Sequence, residues 1–197
     1  IKSFNDNRQL EVFVFYSGHG LSEADGSDAY FLPVDGDPAI LRDTAISRKR
    51  VLLDLASIDS KSTTLFLDTC YSGVTRNGDS IISSQRPIVI TPTGWQGVAP
   101  NVSILAASSQ SETSTGLDER EHGLFSYFLM RGLNGEADNS PTGNQDGKIT
   151  LQEIADYVRP NVSRTASGKG QKQTPQLLGS SKAVVTQQST IRKILNF

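Results

Sequence analysis

The sequence has 197 residues, a length that fits one domain with a sizeable hydrophobic core. A hydrophobic content of 36%, a charged content of 20% and a net charge of −2 at pH 7 show no basic excess, which argues against nucleic acid or an anionic membrane surface as a partner. No apolar run reaches the roughly 18 residues needed to span a bilayer. The single cysteine excludes an intrachain disulfide and favours a cytoplasmic location.

The first predicted element is a strand over residues 12–16, a run of β-branched and aromatic residues typical of a strand buried on both faces. It leads into Ser17, Gly18, His19 and Gly20, where the two glycines would allow a sharp turn that presents the histidine at the carboxyl end of the strand. Open α/β sheets bind ligands at the carboxyl ends of their strands. His19 is therefore a candidate site residue, although a histidine in a structural turn gives the same pattern.

Three further elements follow, in chain order an extended segment at 29–34, a helix at 47–58 and a second buried strand at 63–67. Ser47 is placed to cap the helix at its amino terminus. The strand–helix–strand order predicts a right-handed parallel crossover. Asp68 and Cys70 follow directly after the second strand, so both strands place reactive side chains at their carboxyl ends.

The second half of the chain opens with a long, polar, turn-rich segment at 74–100, predicted to be an exposed loop with a short strand at 88–90. The elements predicted after it are a buried strand at 102–107, an apolar helix at 123–133, an amphipathic helix at 150–158 and a final strand at 183–186. Thr150 and Glu153 form a capping box in the sequence at the start of the amphipathic helix.

The segment that precedes this helix has the spacing of an EF-hand loop, with Gly147 at the sixth position and Glu153 at the twelfth. Thr142 stands at the first position, where aspartate is expected, and no entering helix is evident. A structural turn that leads into a helix cap is therefore the favoured interpretation.

Cys70 follows His19 by 51 residues, and together the two residues can act as a nucleophile and its general base. In caspases the histidine precedes the cysteine by about 50 residues. A buried, inert thiol is the alternative interpretation of Cys70 when it is considered alone.

The motifs SGHG at 17–20 and DTCYSG at 68–73, each after an apolar strand, resemble the two catalytic motifs of caspase-like cysteine peptidases, in particular metacaspases and the bacterial orthocaspases. Further similarities are YFLPVD at 30–35, TAIS at 44–47, AASSQSET at 106–113 and GLFSY at 123–127. The resemblance implies an α/β fold, a caspase-like α/β/α sandwich with a mostly parallel central sheet. It also implies one domain over 1–197, with a p20-like part at 1–73, a linker at 74–100 and a p10-like part at 101–197.

The resemblance further implies the role of each site residue. His19 would be the general base and then the acid that protonates the leaving amine, and Cys70 would form the acyl-enzyme. The backbone N–H groups of Gly20 and Cys70 would hold the oxyanion, and this chemistry requires no cofactor. Asp68 and Ser17 would line a substrate pocket that selects a protein or peptide with Arg or Lys before the scissile bond. Asp68 as a structural cap for the following turn is the alternative.

Two further properties follow from the same resemblance as hypotheses: self-processing and activation by calcium. Arg76 and Arg86 are the only basic residues of the linker and thus candidate autocatalytic cleavage sites. Calcium dependence stays open, since carboxylates that could contribute to a site are present but the aspartate pair usual before the crossover helix is replaced by the segment at 44–47. These weak metal candidates are Asp25, Asp28, Asp35 and Asp37.

Metacaspases generally begin with a strand, a helix and another strand before the histidine motif, and only about ten residues precede that motif's strand here. The sequence thus predicts a sheet without the usual first strands in this chain. Two alternatives to an autonomous peptidase follow. One is a catalytically silent caspase-like interaction module, and the other is a peptidase of a signalling or defence system that is activated by a regulatory domain outside this chain.

Overall fold

The computed structural model of the protein describes residues 10–23, 27–69, 98–109, 112, 116–117 and 122–187. The strands in chain order are β1 (Glu11–Ser17), β2 (His19–Ser22), β3 (Ala29–Leu32), β4 (Ile46–Ser47), β5 (Ser62–Asp68), β6 (Val102–Ala106), β7 (Gly116–Leu117), β8 (His122–Gly123), β9 (Lys148–Thr150), β10 (Gln176–Leu178) and β11 (Val184–Gln187). The α-helices are α1 (Leu41–Thr44), α2 (Arg48–Ala56), α3 (Leu124–Arg131) and α4 (Leu151–Gly168), with a 3₁₀ turn at Pro38–Ile40 and a π-helical turn at Gly132–Glu136. No helix within the described ranges is long and apolar enough to cross a membrane.

The central sheet has four strands in the order β1, β5, β6, β10. The first three run parallel, and β10 pairs antiparallel with β6. The parallel pairing of β1 with β5 confirms that the predicted crossover is parallel, because the chain must return to the same end of the sheet before β5 begins. The fold is α/β with a mostly parallel central sheet, as the sequence predicts.

Helices pack against both faces of this sheet. On one face, Phe66 of β5 and Leu105 of β6 join a core that includes α3 and α4. On the other, Leu65 and Leu67 of β5 join a core with Leu55 of α2. Successive side chains of a strand point to opposite faces, so β5 contributes to both cores and is buried along nearly all of its length.

The first strand departs from the prediction that it is buried on both faces. Val14 and Tyr16 pack against the core on the α2 side, whereas Phe13 and Phe15 on the opposite face are 45% and 55% exposed. In the described part of the chain β1 is an edge strand, and the core formed by α3 and α4 includes residues of the inner strands instead. The apolar run thus predicted the strand correctly but not its burial.

A smaller antiparallel sheet of β2, β3 and β4 accompanies the central one. The extended segment predicted at 29–34 is β3. Ser47 caps α2 as predicted, since its side chain accepts a hydrogen bond from the N–H of Arg50 at 3.1 Å. Asp28 accepts hydrogen bonds from the Ser47 hydroxyl at 2.5 Å and from the N–H of Ala29 at 2.7 Å, which ties the start of β3 to the start of α2.

The segment that leads into α4 is a structural turn and a helix cap. Thr150 and Glu153 form the predicted capping box, in which each side chain bonds the backbone N–H of the other residue. The Glu153 carboxylate also accepts a hydrogen bond from the N–H of Asn144 at 3.2 Å, and Gly147 has a φ of 78°. Protein donors therefore occupy the carboxylate that an EF-hand would direct at calcium, and α4 continues beyond its predicted end.

Two details of the sheets were not predicted. The three-residue strand β10 extends the central sheet, although its sequence carries no distinctive strand pattern. The final strand predicted at 183–186 exists as β11, but it pairs with β9 in a separate two-stranded sheet. The short strand predicted at 88–90 lies outside the described residues.

Candidate active site at the carboxyl ends of β1 and β5

The two motif-bearing strands are neighbours and end at the same level. Ser17, the last residue of β1, lies opposite Asp68, the last residue of β5. The N–H of Gly18 then donates to the carbonyl oxygen of Asp68 at 3.3 Å, so one further hydrogen bond joins the two segments just beyond the end of β1. In a parallel ladder, residues directly opposite each other share a face of the sheet. The side chains of Ser17 and Asp68 therefore leave the sheet on the same side, which is also the side of α3.

His19 is an exposed residue at the start of β2, two positions beyond the end of β1. The hydroxyl of Tyr16 donates to the carbonyl oxygens of His19 at 2.9 Å and Leu32 at 3.3 Å, and its ring packs on Phe31 at 4.6 Å between centroids. Burial raises the pKa of Tyr16. The histidine is thus held through its backbone at the junction of the central sheet with the β2–β3 hairpin.

The glycines around His19 do not supply the backbone freedom that the sequence predicts. Neither Gly18 nor Gly20 has a positive φ, so the turn uses backbone angles that other residues can also adopt. A Cβ at position 18 would instead lie 2.7 Å from the hydroxyl oxygen of Tyr16. Gly18 is therefore suited to the site because it leaves room for the tyrosine that holds His19.

Gly20, the predicted oxyanion donor, is a buried residue of β2 that pairs with Phe31 of β3. This pairing fixes the backbone next to His19 within a regular hairpin. Its role toward an oxyanion stays a prediction.

Asp68 is fully buried and bound to the amino terminus of α3. Its Oδ2 atom accepts two hydrogen bonds from Ser126, from the hydroxyl at 2.5 Å and from the backbone N–H at 3.3 Å. Gly123, the N-cap residue of α3, supplies no side-chain acceptor, so the carboxylate of another element meets a helix N–H that lacks an intrahelical partner. This contact joins elements 58 residues apart, and the alternative of a local cap for the following turn concerns residues outside the described ranges.

The second catalytic residue predicted from the sequence, Cys70, lies outside the described residues. The same is true of the processing candidates Arg76 and Arg86. Thr69, which immediately precedes the cysteine in the chain, is buried at 5% exposure. The described structure thus brings together Ser17, Asp68 and the histidine segment. The predicted nucleophile is the next residue after Thr69 and is not among the described residues.

The sequence profile of the Peptidase_C14 family, the caspase domain, matches residues 3–184. The chain belongs to the caspase-domain family. Among solved structures it is similar to the crystal structure of protein GSU0716 from Geobacter sulfurreducens, with a TM-score of 0.50 and 14% sequence identity over 89% of this chain and 72% of that chain. At this identity the likeness shows the fold alone. Curated protein sequences give no significant match.

Membership of this family indicates the general class of function of the domain. The family is one of cysteine-type peptidases, so it supports a caspase-like peptidase, a hydrolase, at the level of the family. The assignment of His19 and Cys70 as a catalytic dyad stays a prediction. The same holds for Asp68 as the residue that selects basic substrate side chains.

Two of the four carboxylates considered for calcium in this caspase domain have protein partners. Asp28 ties β3 to α2, and Asp37 accepts a hydrogen bond from the N–H of Ala39 at 2.8 Å at the start of the 3₁₀ turn. Asp25 is outside the described residues. Within the ranges described, no group of three or more His, Cys, Asp or Glu side chains, Asp35 included, is arranged to hold a metal ion.

Two residues of the caspase domain bear on the site but were not singled out from the sequence. In the sequence, Tyr16 is one residue of the apolar run and Ser126 is one residue of the GLFSY similarity. A signal for Ser126 was available in principle, because a predicted helix that follows glycine needs an acceptor from elsewhere for its first N–H groups. Nothing local to Tyr16 distinguishes it from the aromatic residues beside it.

Proposed function

We propose that this caspase domain is a cysteine endopeptidase that hydrolyses peptide bonds after Arg or Lys by means of His19 and Cys70. The observation that carries the proposal is the register of the parallel ladder, in which Ser17 is opposite Asp68. His19 and Cys70 each follow those residues by two positions, so the two motifs leave adjacent strands at one end of the sheet. A nucleophile and its base need this proximity.

In the proposed mechanism the imidazole of His19 removes the thiol proton of Cys70. The thiolate sulfur forms a bond to the scissile carbonyl carbon, and the N–H groups of Gly20 and Cys70 stabilise the resulting oxyanion. The C–N bond then breaks as the imidazolium of His19 donates its proton to the leaving amine. Water, deprotonated by the same imidazole, hydrolyses the thioester and restores the thiol.

Asp68 supplies the proposed selectivity. Because the carboxylate of Asp68 is buried, a substrate cation that pairs with it is also withdrawn from water. The attraction between the two charges is stronger in the protein interior than it would be in water. An acidic side chain in the same place would meet a like charge, and a neutral one would form no ion pair with the carboxylate. Arg and Lys are therefore the side chains expected before the scissile bond.

The first test measures the reactivity of the thiol. The chain contains one cysteine, so alkylation by iodoacetamide reports on Cys70 without ambiguity. A thiol activated by His19 should react rapidly at neutral pH, and His19→Ala should move the pH dependence of alkylation toward the ordinary thiol pKa of about 8.5. Equal alkylation rates in the two proteins at every pH would contradict the dyad.

The second test measures turnover on matched fluorogenic peptides that carry Arg, Lys, norleucine or Asp before the scissile bond, with and without added calcium. We expect hydrolysis of the Arg and Lys peptides only, and none by Cys70→Ala. Hydrolysis of the Asp peptide alone would overturn the assignment of Asp68. Complete inactivity under all conditions would favour the catalytically silent module.

Autocatalytic cleavage of the linker is tested with the same variant. If the enzyme processes itself after Arg76 or Arg86, the fragments seen with the intact chain should be missing from purified Cys70→Ala and should reappear when active enzyme is added. Identical fragments in both purified proteins would show that another protease produces them.

A further inference from the structure

Ser126, at the third position of α3, makes the two described hydrogen bonds to the Asp68 carboxylate. We infer that Ser126 is a positioning residue that orients this carboxylate for the basic side chain of the substrate, and thereby sets the strength of the preference for Arg and Lys. This inference rests on the proposed function. Ser126 itself acts through Asp68 and has no assigned contact with substrate.

The geometry favours control of orientation over simple contact. Both donors of Ser126, its hydroxyl and its N–H, converge on the same oxygen, Oδ2. A carboxylate held at one oxygen from two directions cannot rotate without breaking at least one bond, so the direction of Oδ1 is fixed as well. Ser126 and Asp68 are both buried, and water does not compete for these bonds.

The electrostatics point the same way. A helix amino terminus carries partial positive charge and stabilises a nearby carboxylate, and a hydrogen bond to an ionised group is stronger than one between neutral groups. α3 has eight residues and no side-chain cap of its own at Gly123. Asp68 thus supplies an acceptor that the helix needs, and Ser126 in turn fixes the orientation of the Asp68 carboxylate.

A purely structural cap and a positioning residue predict different results. If Ser126 only stabilised the junction of β5 with α3, its replacement would weaken every substrate alike or lower stability alone. If it orients Asp68 for a cation, the loss must be specific to basic side chains, and the conservative variant Ser126→Thr, which keeps a hydroxyl, must restore it.

The experiment measures binding separately from turnover. In the Cys70→Ala background, calorimetry compares two peptides that differ only in arginine or norleucine at the position before the scissile bond. With Ser126→Ala added, we expect the preference for arginine to fall about tenfold, the size of one hydrogen bond to a charged group, with little change for norleucine. Ser126→Thr should retain most of the preference.

The matched control is Ser103→Ala. Ser103 is also a buried serine, and its hydroxyl donates to the carbonyl oxygen of Ser180 at 2.9 Å, but it lies near the opposite end of its strand. This variant should lose stability without a change in the ratio of arginine to norleucine affinity. Melting temperatures of all variants identify any that fail to fold, and if Ser126→Ala is one of them, Ser126→Cys takes its place.

Kinetics complete the test. In the active enzyme, Ser126→Ala should raise KM for the Arg peptide about tenfold while kcat changes less, since the thiol and imidazole are untouched. An unchanged affinity ratio, or an equal loss for both peptides, overturns the inference. Absence of turnover despite arginine-selective binding that depends on Ser126 would overturn the proposed peptidase activity and leave the positioning role supported.

Discussion

The hydroxyl of Tyr16 donates a hydrogen bond of 2.9 Å to the carbonyl oxygen of His19, three residues further along the chain. The two residues belong to different sheets, because Tyr16 is in β1 of the central sheet and His19 opens β2 of the smaller one. The bond therefore joins the two sheets at the histidine itself. Burial raises the pKa of Tyr16 above its usual 10.0, so this donor keeps its proton throughout the neutral range.

Removal of this hydroxyl should affect both stability and catalysis. Tyr16→Phe should lower the free energy of unfolding by about 1 kcal/mol, the net worth of a typical hydrogen bond, and should lower kcat because the backbone of His19 loses its anchor. Tyr127→Phe is the control, since that hydroxyl accepts a hydrogen bond from Arg131 at 3.0 Å on an exposed face, away from His19. Denaturant unfolding and turnover of the Arg peptide measure the two effects. A normal kcat in a destabilised Tyr16→Phe would show that the anchor is structural only.

Gly18 should tolerate no side chain while Tyr16 stays in place. In Gly18→Ala the new Cβ would approach the Tyr16 hydroxyl oxygen at 2.7 Å, so the ring must shift, at a cost of about 1–3 kcal/mol typical of overpacking. Gly168→Ala at the end of α4 meets nothing within 4 Å and should be neutral or slightly stabilising. Thermal melting of both variants is the measurement. Equal melting temperatures would show that Tyr16 moves aside freely.

Glu112 should make stability depend on pH in the acidic range. Burial opposes ionisation of its carboxyl, but hydrogen bonds from Ser109 and Thr174 outweigh this effect and lower its pKa below 4.5. A carboxyl whose pKa is lowered on folding contributes stability that is fully present above its unfolded value and is lost as pH falls through the folded value.

The expected result is that the wild-type protein loses stability between neutral pH and pH values below 4.5 more steeply than Glu112→Gln does. Denaturant unfolding at a series of pH values measures this difference. Glu11→Gln is the control, because Glu11 pairs with Lys61 near the surface and its loss should matter little. If the free energy of unfolding depends on pH in the same way in wild type and Glu112→Gln, Glu112 is not the source of the acid sensitivity.

Glu153 should stabilise the start of α4 without any help from calcium. Its carboxylate accepts hydrogen bonds from the N–H groups of Thr150 at 2.8 Å and Asn144 at 3.2 Å. Glu153→Ala should therefore lower the free energy of unfolding by about 1 kcal/mol, whereas Gln152→Ala on the exposed face should have a small effect. Melting curves with calcium or a chelator test the second half of the prediction. A calcium-induced rise in melting temperature that Glu153→Ala abolishes would contradict it.

Patterns local to the sequence determined much of this protein. The strands β5 and β6, the helices α2 and α4, and the caps Ser47 and Thr150 follow from side-chain periodicity and from hydrogen bonds that span only three residues. The family could be recognised from the motifs around His19 and Cys70, because a catalytic sequence must place particular side chains at particular strand ends.

The tertiary structure decided which surfaces those elements share. Phe13 and Phe15 are as apolar as Phe66, yet only Phe66 is covered, because α3 and α4 pack over the inner strands. The acceptor for Ser126 is 58 residues away, and no local rule selects Asp68 from the other carboxylates. Gly18 has ordinary backbone angles, and its importance arises only from the Tyr16 ring beside it. Periodicity fixes which residues face together within one element, whereas contacts between elements depend on how the whole chain packs.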